Sequence, residues 1–326
     1  MQFVPIELYQ LVSNLLNTIS QIRMGSVSKF LHTMDIFEIK TMKIRDDILM
    51  QKKFNNLVTL DYCRKMELNN KIHWFTQKSL TQKSMNRLNL VKLYICNNDN
   101  INDVSHMSNL RVLNICGKCR VNQNGIKNLD LIELYATDNE DIRDVSYMRN
   151  LKILYANFNI TLDDAYGIEQ NSIKNLDLIK LNIRNNYNID NISHMINLKY
   201  LNISGECSVG QDSMQKLLLK KLNATNNIKI KDVSFMTTLR KLNISGICGV
   251  GQAGIQNLLL KKLNANDNSK ITNVNFMTSL EKLDIGGICG VGRAGIQNLS
   301  LKSLNIKYNR KIVNVSFMTS LENLIS

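Results

Sequence analysis

Two stretches decide the reading of this chain: LNISGICGVGQAGIQNL, from Leu242 to Leu258, and LDIGGICGVGRAGIQNL, from Leu283 to Leu299. They differ only at Asn243/Asp284, Ser245/Gly286 and Gln252/Arg293, and they lie 41 residues apart. Self-similarity at a period between about 20 and 50 residues is the mark of a stacked repeat. Here the unit is half of 41, because two kinds of segment alternate. A segments begin at Leu90, Leu131, Leu178, Leu219, Leu260 and Leu301, and B segments at Leu110, Leu151, Leu198, Leu239, Leu280 and Leu321. An A segment has 20 residues and a normal B segment 21; the B segment from Leu151 is six residues longer, with the excess inside 158–172. That excess reads as a surface loop or as a contact, and the residues do not choose.

Both kinds open with Leu-x-x-Leu-x-apolar. Alternating apolar residues such as Leu242 and Ile244 suit a short strand with one buried face. The ninth residue of every A segment is Asn: Asn98, Asn139, Asn186, Asn227, Asn268 and Asn309. An amide side chain both donates and accepts, so an Asn stacked at each strand exit can satisfy turn backbone in its own and neighbouring coils. Three apolar ladders follow, through Ile101, Val104 and Met107 and their counterparts in each later A segment. Six repetitions without a polar exception predict a continuous core made by stacking coils, a solenoid.

This is the leucine-rich repeat pattern, and the resemblance covers roughly 90–326. The A segments, with NNIKIKDVSFM from Asn226, resemble internalin-type repeats. The B segments, with LNISGICGVGQAGI from Leu242, are similar to the cysteine-containing repeats of F-box proteins. The resemblance implies an α/β solenoid with parallel strands on its concave face. On that face the third strand positions carry Lys92, Val112, Glu133, Ile153, Lys180, Tyr200, Lys221, Lys241, Lys262 and Lys282. The fifth positions carry Tyr94, Asn114, Tyr135 and Tyr155, then Asn or Asp from 182 onwards. Tyr94, Tyr135, Tyr155, Tyr200, Lys221, Lys241, Lys262 and Lys282 are therefore the expected target-binding residues. The lysine row admits a solvated face, a site for an acidic protein segment, or a nucleic-acid site. Nucleic acid ranks last, since the row lacks arginine, the better bidentate phosphate ligand, and no nucleic-acid motif is visible.

The stretch before the solenoid follows another period. Pro5, the one proline, suits a first helical turn, and Leu8, Leu11, Val12, Leu15 and Leu16 recur at helical spacing. Thr18 can cap a second helix carrying Ile19, Ile22, Val27, Phe30 and Leu31. Val4-Pro5-Ile6-Glu7-Leu8, Leu15-Leu16 and Ser26-Val27-Ser28-Lys29-Phe30 together resemble an F-box over roughly 1–45. That resemblance implies docking on a Skp-type adaptor through Pro5, Ile6, Leu8, Leu15, Val27 and Phe30. The chain would then be a substrate receptor of a cullin-type ubiquitin ligase, with the repeats holding a target. The alternative is a non-enzymatic leucine-rich repeat scaffold whose N-terminal helices only cap the first coil. Residues 46–89 read as linker and capping coil, with Leu57-Val58-Thr59-Leu60-Asp61-Tyr62 a degenerate first coil.

Composition narrows the remaining classes. The chain has 326 residues, 44% of them hydrophobic, and a formal net charge of +14, which favours acidic partners. No basic n-region precedes an apolar run at the start and no run of 18 apolar residues occurs, so neither an export signal nor a membrane span is expected. The seven Cys suggest a reducing, cytoplasmic or nuclear setting. Cys116-Gly-Lys-Cys119 invites a metal reading, but Cys119 shares its register with Cys207, Cys248 and Cys289, so a buried apolar ladder is expected instead. Neither metal nor cofactor is expected, and no catalytic constellation occurs. Gly249, Gly251 and Gly254 fit turns rather than a phosphate cradle. The aromatic stripe His106, Tyr147, His194, Phe235, Phe276 and Phe317 reads as packing between coils. The last segment, LENLIS from Leu321, offers an open strand edge, from which weak self-association is expected.

Overall fold

A computed structural model describes residues 38–40, 59–61, 64–68, 71–75, 80–158 and 167–326. The candidate adaptor-binding residues Pro5, Ile6, Leu8, Leu15, Val27 and Phe30 lie outside the described residues, as does most of the extra loop near 158–172. The chain divides into two compact units, Met1–Ile142 and Arg143–Ser326.

The first unit holds β1 (Glu38–Lys40), β2 (Thr59–Asp61), β3 (Arg64–Leu68), β4 (Lys71–Phe75), the one-turn helix α1 (Gln82–Met85), β5 (Lys92–Tyr94), β6 (Val112–Asn114) and β7 (Glu133–Tyr135). Strands β1, β2, β5, β6 and β7 pair in that order, all parallel. Within the stretch expected to form a degenerate coil, Leu60 of β2 is fully buried and aligns with Leu93. Two features were not expected. The strand β1 lies inside the stretch assigned to the helical unit, and β3 and β4 form an antiparallel hairpin that places Trp74 opposite Lys65.

The second unit holds β8 (Ile153–Tyr155), the one-turn helix α2 (Gln170–Ile173), β9 (Lys180–Asn182), β10 (Tyr200–Asn202), β11 (Lys221–Asn223), β12 (Lys241–Asn243), β13 (Lys262–Asn264), β14 (Lys282–Asp284), β15 (Ser303–Asn305) and β16 (Asn323–Ile325). Each pairs in parallel with its sequence neighbour, in identical register, so that Leu222, Leu242, Leu263 and Leu283 stand side by side. A coil of about twenty residues closes on three strand residues, one-turn helices and 3-10 turns such as Ala253–Ile255; longer helices do not fit. The Leu, Ile, Val and Met ladders fill the interior, and Leu239, Ile271, Val274 and Met277 are fully or almost fully buried. Burying each such side chain contributes roughly 1.5–3 kcal/mol, which a single coil could not achieve alone. At the edge strand β16, Leu324 and Ile325 remain 43% and 45% exposed.

Three side-chain ladders fix the stacking. In the first, the ninth-position Asn reaches back one coil. Asn268 Nδ2 donates to Ile244 O (2.8 Å) and Val250 O (3.1 Å), while its Oδ1 accepts from Lys270 N (3.1 Å). Asn139, Asn186, Asn227 and Asn309 repeat the pattern. Among the described residues Asn98 Nδ2 is the buried side-chain nitrogen that lacks an acceptor. In chain order the β3–β4 hairpin follows β2, ahead of the A coil that carries Asn98.

The second ladder joins A to B. The eighth position takes a left-handed backbone in all six A coils and in four B coils, though not at Phe158 in the longer B coil from Leu151. A coils place Asn97, Asn185, Asn226 and Asp267 there, with φ of 53–57°, and B coils place Gly117, Gly205, Gly246 and Gly287. The Asn226 oxygen accepts from Ile247 N (3.2 Å), and the Asp267 oxygen from Ile288 N (3.0 Å). A Cβ on Gly246 would overlap Asn226 Oδ1. The A coil supplies the side chain and the B coil the space for it, which is why the two kinds alternate. The third ladder joins B to A. Gln252 Oε1 accepts from Thr272 N and Asn273 N (both 2.9 Å), and its Nε2 donates to Asn273 O (2.8 Å). Gln82, Gln170 and Gln211 do the same. Arg293, which replaces Gln in the second quoted stretch, instead lies 5.2 Å over the Phe317 ring.

Candidate functional site

The strand face of the second unit concentrates the unpaired charge. From β8 to β15 each strand buries its central Leu and half-buries its third residue, while its first residue is exposed at β10, β11, β12 and β14 and half-buried at β8, β9, β13 and β15. Parallel pairing in one register sets Lys221, Lys241, Lys262 and Lys282 in line on consecutive strands. Neighbours therefore stand about 4.8 Å apart at the backbone and repel by roughly 1 kcal/mol per pair in water. No carboxylate lies within ion-pair distance of these four among the described residues. The basic residues one position earlier are largely spent: Lys261 pairs with Glu281 at 2.5 Å, and the Arg240 guanidinium donates to Thr237 O and Leu239 O. The Lys261 ammonium beside Glu281 holds that carboxyl below its ordinary pKa.

Two shallow troughs run along this face. One, of ≈ 440 Å³, brings together Lys221, Lys241, Lys262 and Lys282 with Asn243, Asn264 and Asp284. The other, of ≈ 300 Å³, joins Tyr155, Lys180, Asn182, Tyr200 and Asn202 to Lys221 and Lys241. The Lys180 ammonium sits 5.1 Å over the Tyr155 ring, and Tyr200 is 42% exposed. So the structure gathers six of the eight expected target-binding residues on the second unit. Tyr94 and Tyr135 belong to the first, where Tyr135 donates its hydroxyl to Glu133 Oε2 at 2.7 Å.

The sequence alone gave no orientation to the fifth-position Asn row. In each case the side-chain oxygen turns back to cap its own strand exit. Asn202 Oδ1 accepts from Ser204 N, Asn223 from Thr225 N, Asn243 from Ser245 N and Asn264 from Asn266 N, at 3.0–3.1 Å. The recurrence of Asn two residues before a turn is the signal for this Asx geometry. On the first unit the expectation of outward strand residues fails at β6. Val112 is 6% exposed and Asn114 4%. Asn114 is buried because its oxygen is used twice, by the Cys96 thiol (3.1 Å) and by Cys116 N (3.2 Å).

The aromatic stripe, expected to pack between coils, lies at the edge of the core. Tyr147, Phe235 and Phe276 are 38–40% exposed, since they follow the chain out of the core one residue before each buried Met. Its two histidines do bind between coils: Nε2 of His106 and of His194 each approach a carbonyl, Met85 O and Ile173 O, at 3.1 Å. Cys96, Cys116, Cys119, Cys207, Cys248 and Cys289 are buried thiols. Burial pushes the Cys207 thiol up to about 11 and raises Cys248 and Cys289 likewise. Cys116 runs the other way, because its hydrogen bond with Cys96 outweighs burial. Among the described residues no three His, Cys, Asp or Glu side chains are grouped to hold a metal ion, and no helix is long and apolar enough to cross a membrane.

No family model matches the chain, and no curated sequence is significantly similar to it. Solved structures of the same fold do match. Rad7, solved in complex with Elc1 from yeast, is 16% identical, with a TM-score of 0.55 over 97% of this chain and 92% of that one. TLR13, solved in complex with ssRNA13, is 17% identical, with a TM-score of 0.52 over 92% of this chain and 52% of that one. The functional domain of InlJ from Listeria monocytogenes, which includes a cysteine ladder, is 18% identical, with a TM-score of 0.47 over 82% of this chain and 58% of that one. At these identities the likeness is one of fold. The chain is a leucine-rich-repeat-type solenoid of parallel strands.

Proposed function

We propose that this chain is a protein-interaction module that binds an acidic protein segment on the strand face of its second unit. The observation that carries this reading is the in-register row Lys221, Lys241, Lys262 and Lys282, which has no carboxylate partner among the described residues. A folded protein has no internal use for four aligned, self-repelling ammoniums, whereas an acidic ligand removes the repulsion and gains steering. We propose further that the module is the substrate receptor of a cullin-type ubiquitin ligase, working in the cytoplasm or nucleus. Residues 1–45 would dock a Skp-type adaptor through Pro5, Ile6, Leu8, Leu15, Val27 and Phe30. The mechanism is proximity: target is concentrated beside a ubiquitin-charged enzyme elsewhere in the assembly. Rad7, which forms a complex with Elc1, supports the compatibility of this fold with such an assembly.

One observation favours a second reading. Strand β1 pairs with β2, so the chain N-terminal to the repeats joins the sheet, as a cap would. The two readings separate in one experiment. The full chain is mixed with a Skp-type adaptor and co-elution is measured, with Pro5→Ala/Leu8→Asp as the variant. Co-elution lost in the folded double variant is the expected result. A folded wild-type chain that never co-elutes reduces the N-terminus to a cap and leaves a binding scaffold.

A further inference from the structure

The strand face of the second unit offers hydrogen-bond donors in two fixed rows, and this decides what can bind there. The argument rests on the reading of that face as the binding surface. In the first row stand Lys180, Lys221, Lys241 and Lys262, with the Tyr200 hydroxyl at β10. In the second stand Asn182, Asn202, Asn223, Asn243 and Asn264. An Asn side chain normally shows both an acceptor and a donor. Here every Oδ1 is already engaged by the N–H two residues on, at 3.0–3.3 Å. That contact leaves Nδ2 as the free end of each amide, and none of the five donates to a protein acceptor among the described residues. The turn chemistry of the strand exit has therefore turned an amide row into a donor row. At β14 the pattern stops, because Asp284 puts a carboxylate where the row has amides; its Oδ1 caps Gly286 N in the same way and faces Asn266 Nδ2 at 3.5 Å.

We infer that the face from β9 to β13 selects an extended run of acidic residues in a partner protein, lying across the strands between the two rows. Five strands about 4.8 Å apart span about 19 Å, the length of about six extended residues. The rows lie two residues apart along each strand, about 6.6 Å, which leaves room for a backbone between them. Alternate side chains of an extended peptide point to opposite sides, so one set of carboxylates meets ammoniums and the other meets amide N–H groups. Charged hydrogen bonds of this kind are about twice as strong as neutral ones. The amide donors are held before the ligand arrives, so less ordering is lost at them on binding than at the flexible Lys side chains. The row of amides also sets the specificity: a ligand donor in that position meets N–H against N–H, while Lys alone would accept any anion.

The test uses the full chain and a fluorescein-labelled hexaglutamate peptide, with binding followed by anisotropy at low salt. Asn243→Asp with Asn264→Asp keeps the strand-exit cap, as Asp284 does naturally, but replaces two free donors with acceptors. Gln256→Glu with Gln297→Glu adds the same charge at exposed residues off the face. The expected result is a loss of about tenfold or more in affinity for the Asn pair and less than about twofold for the Gln pair, with unchanged thermal midpoints. Equal losses in the two pairs would overturn the donor-row inference. The proposed surface would survive that result if Lys221→Glu with Lys241→Glu still abolished binding. No effect of the Lys pair, or no wild-type binding at millimolar peptide, would overturn both. A single-stranded oligo(dT) that binds while the peptide does not would replace the acidic segment by nucleic acid.

Discussion

At the scale of single residues, position decides whether an Asn or a Gly is structural. Asn268 satisfies two carbonyls of the coil before, both out of solvent, and one part-buried N–H of its own turn. Removing it leaves those carbonyls buried and unpaired, so Asn268→Ala should destabilise the second unit by about 2–4 kcal/mol, read as a fall in the urea midpoint. Asn243 holds one bond at a half-buried site, and Asn243→Ala should cost about 1 kcal/mol or less in the same titration. Gly246 has φ +70° and no room for a Cβ beside Asn226, while a Cβ on Gly251 would meet nothing nearer than Lys270 Cβ at 3.6 Å. Gly246→Ala should therefore lower the thermal midpoint and Gly251→Ala should leave it nearly unchanged. The ninth-position Asn was legible in the sequence as a stacking residue. The eighth-position clasp was not, because Asn in one coil and Gly in the next share no residue type to betray their partnership.

At the scale of the coil, stability comes from contacts between neighbours about twenty residues apart. Gln252 makes four bonds to the next coil, and Gln252→Ala should cost about 1 kcal/mol, since these bonds are largely exposed. Hydrogen exchange should show the effect at Thr272 and Asn273, the two amides it caps; unchanged protection there would refute the clasp. The cysteine ladder gives a pH signature. The Cys207 pKa rises from 9.0 to about 11 in the fold. Above pH 9.0 the unfolded chain ionises first, so the contribution of this buried thiol, complete below that pH, is lost as pH climbs towards about 11. Cys207→Ala should flatten the decline of stability in that window, measured by denaturant titration at several pH values. Below it, thiol reagents should label the ladder far more slowly in the native chain than in the denatured one.

At the scale of the whole molecule, the second unit is a basic surface on a rigid stack, and its binding should carry that stamp. Affinity for an acidic peptide should fall steeply between low and physiological ionic strength, as exposed charges are screened. A salt-independent affinity would point to apolar anchoring at Tyr155 and Tyr200 instead. The expected site was partly legible: Lys221, Lys241, Lys262 and Lys282 share a period, and a period in a solenoid becomes a line on its surface. The division of the tyrosines between two units was not legible, because repeat spacing runs unbroken through Ile142 and Arg143.

The sequence by itself determined the coil length, the strand positions, the buried Leu, Ile, Val, Met and Cys ladders, and the alignment of the lysines. Each of these repeats along the chain, and repetition converts directly into register when identical coils stack. Only the tertiary structure decided where the fifth-position amides point, which coil each Asn and Gln clasps, why Asn114 is closed off at β6, and that the aromatic stripe stands at the surface. Those outcomes depend on the position of a backbone N–H or carbonyl in the neighbouring coil. A residue type states what hydrogen bonds a side chain can make; the packed neighbour decides which of them remain for a partner.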